Sequence, residues 1–180
     1  MVRVNAHPKE VAPIYTHEKN MNLNNLPSYG ADFSECRRYR YALWRIWEPS
    51  KPLVMFIGLN PSTANEVDAD PTIRSVGRLA KHNGFGGFYM MNCFPFVSTD
   101  PNQLRDHGNT EQNDAWLRIA ANVCSDVVFA WGSFPVVREL GRDAELRTMF
   151  PNAKALHINK DGAPKHPLYC RSTSPFIPFI

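Results

Sequence analysis

LVMFIGLN, residues 53–60, is a run of apolar residues that closes on a glycine and an asparagine, with Pro52 before it and Pro61 after it. An unbroken apolar stretch of strand length, bounded by turn formers, suits a strand buried on both faces, the kind that fills a parallel sheet. FYMMNCF (88–94) and DVVFAWG (126–132) repeat the pattern. AKALHIN (153–159) reads as a fourth strand. YRYALWRIW (39–47), aromatic and partly alternating, reads as a strand beside the start of the sheet.

Helical segments fall between these runs. Asp70-Pro71-Thr72 opens a helix to about residue 82, with proline in the first turn. Residues 113–123 carry Trp116, Ile119, Ala120 and Val123 at helical spacing, and residues 134–149 form a third helix. Strands alternating with helices define an α/β domain, expected as a three-layer αβα arrangement with a mostly parallel central sheet.

The chain has 180 residues, enough for one domain with a substantial core. Residues 1–29, rich in Asn, Pro and His without periodicity, read as an N-terminal extension, and residues 30–180 as a single domain. A hydrophobic share of 43% and a charged share of 21% are ordinary for a globular protein. A net charge of +3 does not by itself indicate nucleic acid, though it permits a local phosphate-binding patch.

No apolar run reaches the ~18–20 residues of a membrane span. The first residues lack the apolar segment of a secretory signal, so a cytoplasmic protein with no membrane partner is expected. Cys36, Cys93, Cys124 and Cys170 are scattered without a C-x-x-C pair, which argues against a thiolate metal site; neither metal nor cofactor is expected. Nothing in the pattern reports the oligomeric state.

In open α/β sheets, ligands bind beyond the carboxyl ends of the strands. Gly58, Asn60, Ser62 and Thr63 follow the first apolar run; Asn92 and Phe94 close the second. Trp131 closes the third, and His166, Leu168 and Tyr169 come after the last. The strands are apolar while their ends are polar or aromatic, and that asymmetry marks a site.

Asn60 both donates and accepts, as needed to orient a water or hold a base edge; Asn-Pro is also ordinary turn chemistry. Asn92 suits a ligand amide or a strand cap. His166 suits a group that stabilises developing negative charge, or a surface histidine. Phe94, Phe96 and Trp131 suit either base stacking or the core. Asp68 and Asp70 form a carboxylate pair able to hold a metal or activate water, though Asp70 before Pro71 also fits a helix cap. Arg37, Arg38, Arg40, Arg74 and Arg78 suit phosphates or solvated surface.

The stretches YRYALWRIW, LNPSTANEVDADPTIRSVGRLA, NCFPFVSTDP, NDAWL, AWG and DGAPKHPLY, in this order over roughly residues 30–178, resemble the bacterial and phage family catalogued as domain of unknown function 1643. More distantly, GLNPS looks like the first active-site motif of the mismatch-specific branch of the uracil-DNA glycosylase superfamily, MNCFPFVSTDP like its central strand whose Asn can contact the base, and VFAWGSF like its third core strand. That resemblance implies a glycosylase-like fold in which Asn60 positions the attacking water and Asn92 contacts the base. KHPLY resembles the last motif, which implies that His166 stabilises the departing base and that Leu168 or Tyr169 wedges into a duplex.

The implied activity is binding, and hydrolysis at the N-glycosidic bond, of a modified base in DNA or in a nucleotide, with nucleic acid or nucleotide as partner. The alternatives are a non-catalytic nucleobase- or nucleic-acid-binding module and a metal-assisted hydrolase using Asp68 and Asp70. Many superfamily members carry aspartate where this chain has Asn60, and their last motif usually continues His-Pro-Ser-Pro. Asparagine is not a general base, so hydrolysis through Asn60 favours bases that leave readily.

Overall fold

The computed structural model describes residues 28–62, 71–105 and 110–180; Thr63, Asp68, Asp70 and residues 1–27 of the extension lie outside the described residues. Strands β1 (Tyr29–Phe33), β2 (Arg40–Ile46), β3 (Leu53–Gly58), β4 (Gly87–Asn92), β5 (Asp126–Phe129), β6 (Lys154–Ala155) and β7 (Ile177–Pro178) form one seven-stranded sheet in the order β1-β2-β4-β3-β5-β6-β7. Helices α1 (Pro71–His82), α2 (Glu111–Ala121), α3 (Pro135–Glu139) and α4 (Arg142–Met149) lie between the later strands. The protein is α/β.

The three apolar runs become β3, β4 and β5, joined by parallel ladders, and β6 extends the parallel core. The sheet as a whole is mixed rather than mostly parallel. β1 pairs antiparallel with β2, β2 antiparallel with β4, and β7 antiparallel with β6. Short links are the reason on the β1 side: the turn after β1 and the brief connection from β2 to β3 reverse the chain, whereas parallel neighbours need a long crossover; β7 returns to β6 after the longer stretch 156–176.

β3 and β4 lie inside the sheet, and every residue of β4 is buried, as a continuous apolar run requires. Their side chains alternate between two apolar clusters. Val54, Phe56, Phe88 and Met90 join α1 through Ile73, Val76 and Leu79. Met55, Ile57, Tyr89 and Met91 join α2, α3 and α4 through Leu117, Val137 and Leu146.

α1 spans the expected residues, with Pro71 at its start and Lys81 and His82 in the last turn, where cations suit the helix dipole. In α2 the inward stripe is Asn113, Leu117 and Ala120, and Ile119 is 40% exposed, so the expected stripe was rotated by about one residue. The segment expected as one helix over 134–149 is two, α3 and α4, broken at Gly141 with φ 70°, a left-handed turn that an α-helix cannot continue. No helix among the described residues is long and apolar enough to cross a membrane.

Candidate functional site

β3 leads into α1, and β4 leads toward α2, whose apolar side chains belong to opposite clusters. Adjacent parallel strands whose connections part in this way leave a crevice at their carboxyl ends. A cleft of about 310 Å³ lies there, lined by Gly58, Asn60 and Ser62 after β3, Asn92 at the end of β4, and His166. Asn60, Asn92 and His166, far apart in sequence, therefore share one hollow.

Asn92 forms its floor. The residue is 1% exposed, and neither its Nδ2 nor its Oδ1 has a hydrogen-bond partner among the described residues. Burying an amide unpaired is costly, and buried polar groups are ordinarily bonded. Gly58, opposite Asn92 in the ladder, makes the room: a Cβ there would lie 3.2 Å from Asn92 Oδ1 and 2.5 Å from Met90 Cε.

The backbone behind Asn92 is held firmly. Asn113 Nδ2 donates to the carbonyls of Asn92 (2.9 Å) and Cys93 (3.3 Å), and Arg142 Nε donates to the Cys93 carbonyl (2.9 Å). Arg142 is 1% exposed and is paired with Asp114 and Glu145. Burial pulls the pKa of its guanidinium down, but the hydrogen bonds to Asp114 and Glu145 outweigh that and raise it. Burial pushes the Cys93 thiol up, so this end of β4 carries a neutral sulfur and a paired cation.

Asn60 Nδ2 donates to the carbonyls of Pro61 (3.1 Å), Phe96 (3.3 Å) and Ser98 (2.8 Å). Only the NH₂ end of an amide can face three carbonyls, which fixes its orientation. The amide ties the loop after β3 to the loop after β4, and no described group donates to its Oδ1. This differs from an Asx turn, in which the side-chain oxygen would accept from the following backbone.

His166 caps a short 3₁₀ turn, Pro167–Tyr169, by accepting the Leu168 N–H at Nδ1 (3.3 Å). In the neutral ring the proton then sits on Nε2. Ser75 Oγ of α1 donates to the Pro167 carbonyl (3.0 Å) and anchors this turn to the core. Leu168 is 44% and Tyr169 74% exposed, beside His166.

Two expected stacking residues do not reach the cleft. Phe94 is 1% and Trp131 2% exposed, and Trp131 packs on Phe129 and Phe179; both belong to the core, because at these strand ends the apolar face continues inward. The aromatic ring that does line the cleft is Phe134, 38% exposed. Gly132, at φ 81°, lets it and His166 close in: a Cβ there would lie 3.3 Å from His166 Cβ and 3.4 Å from the Phe134 ring. Phe134 stands two residues after Gly132, where the sequence reads as the start of a helix, and no sequence signal distinguished it from a core aromatic.

Arg40 is 3% exposed and lines the cleft, whereas Arg37, Arg38, Arg74 and Arg78 lie at the surface. Among the described residues no carboxylate lines the cleft. A second hollow of about 230 Å³ lies across Phe134, and several of its polar groups are already engaged: Ser133 accepts from Asn159, Arg138 donates to the Asp161 carbonyl and pairs with Asp143, and Glu139 pairs with Arg105.

Residues 40–168, from β2 to the His166 turn, match the model of a family described as a protein of unknown function, DUF1643. The chain belongs to that family. The match takes in all four cleft walls of this DUF1643 protein, the ends of β3 and β4, Phe134 and His166. No curated protein and no solved structure matches the chain.

Proposed function

We propose that the cleft binds the edge of a flat nucleobase, in a three-layer αβα frame of the uracil-DNA glycosylase kind, and cleaves the bond between base and sugar. One observation carries this reading: the buried, unpartnered amide of Asn92 at the cleft floor. A side-chain amide offers a donor beside an acceptor, the complement of a lactam –CO–NH– edge, and such an edge would satisfy both atoms at once.

The other walls supply compatible chemistry. Phe134 offers an aromatic face for stacking. Asn60, its NH₂ held by loop carbonyls, presents Oδ1 to accept a hydrogen bond from water and aim it at the sugar carbon. His166, with its proton on Nε2, stabilises negative charge on the departing base. Leu168 and Tyr169 protrude where a duplex would be entered. Nucleic acid or a nucleotide is the partner on this reading, and no cofactor takes part.

A second reading, a binding module that does not cleave, is favoured by the lack of any carboxylate base lining the cleft among the described residues. Base release from DNA containing uracil or modified pyrimidines separates the two. Cleavage abolished by Asn60→Ala and His166→Ala supports hydrolysis, and saturable binding without product supports the module. Activity unchanged in both variants would remove these assignments. Activity lost to a chelator would instead point to Asp68 and Asp70.

A further inference from the structure

Met90 stands two residues before Asn92 on β4, so the two side chains project to the same face. Phe88, two residues further back on that face, is fully inside the core; Met90 is the point at which the core becomes the cleft floor. Its terminal methyl fills the space that Gly58 leaves, 2.5 Å from where a Cβ would stand, next to the Asn92 oxygen at 3.2 Å from the same point. The floor is therefore one amide beside one methyl, and the methyl sits on an unbranched, adaptable side chain. Ile73 from α1, 4% exposed, adds a further apolar surface to the same cleft.

We propose that Met90 sets the size of substituent admitted beside the edge that Asn92 reads, and that the ligand is a heterocyclic lactam carrying hydrogen or a methyl-sized apolar group at that place. This rests on the reading of Asn92 as a ligand contact. Hydrogen bonding at Asn92 fixes the ring's orientation, and the Met90 methyl then meets the neighbouring ring position. Shortening Met90 opens a hole over Gly58 without touching either amide atom.

The test is calorimetric titration of the wild type, Met90→Ala and Met90→Leu with deoxyuridine, thymidine and 5-ethyldeoxyuridine. The wild type binds the first two alike and the ethyl compound about tenfold more weakly, the scale of discrimination that one methylene gives. Met90→Ala reverses that order, and Met90→Leu, which conserves volume, keeps it. Should Met90→Ala not fold, Met90→Val carries the same comparison. An unchanged ranking in every variant, with binding still lost in Asn92→Ala, overturns the role of Met90 and leaves base binding standing. Failure of all three nucleosides to bind any of the proteins overturns base binding and this inference together.

Discussion

Replacing Asn92 with leucine should make the protein more stable and unable to bind its ligand. The Asn92 amide is buried to 1% exposure, and neither polar atom has a partner among the described residues. Each such group costs roughly 1–3 kcal/mol. Leucine has a similar size and no polar atoms, so imperfect packing would cancel only part of the relief. A net gain of about 1–3 kcal/mol follows, or about 2–12 °C in Tm for a domain of this size. Thermal and urea unfolding of both proteins measure the gain, and the shift in Tm produced by deoxyuridine measures binding. A loss of stability of about 2 kcal/mol or more, or a ligand shift that survives in Asn92→Leu, would refute the reasoning, because Asn92 would then be serving the fold.

Arg142→Met should cost about 3–5 kcal/mol by urea unfolding, since it leaves Asp114 and the Cys93 carbonyl without their buried partner. Gly132→Ala should cost about 1–2 kcal/mol by urea unfolding for its left-handed backbone and should reduce the ligand-induced shift, because His166 and Phe134 must give way by a few tenths of an ångström. Stability should decline in alkali. Burial raises the Cys93 pKa, so its contribution is whole below the unfolded value of 9.0 and falls by about 1.4 kcal/mol per pH unit above it. Urea unfolding at pH 8, 9 and 10 reads this slope, which should be shallower in Cys93→Ala; a flat profile would contradict it.

The parallel core was legible because β3 and β4 are buried along almost their whole length and β5 at Val128 and Phe129, which leaves runs of apolar residues in the sequence. The edges were not. β1 contains Gly30 and Asp32, and β7 is two residues including Pro178; strands with one side open carry no such signature. β6 is shorter than its apolar stretch because only Lys154 and Ala155 meet β5. Asn60, Asn92 and His166, singled out at the polar strand ends, line one hollow. Phe94 and Trp131 misled because an aromatic at a strand end suits core and cleft equally, and only the direction of its side chain decides. Asn113 and Arg142 went unnoticed for a similar reason. Their hydrogen bonds join α2 and α4 to the end of β4, and contacts so distant in sequence leave no local pattern.

The shared hollow can be tested directly by titrating isotope-labelled protein with deoxyuridine and following the side-chain NH₂ signals of Asn60 and Asn92 and the ring signals of His166 by NMR. All three should move together and saturate at one ligand concentration, while the NH₂ of Asn113, occupied by backbone carbonyls, moves little. Saturable binding that leaves those three signals in place, or that moves only residues around Ser133 and Arg138 in the neighbouring hollow, would contradict it.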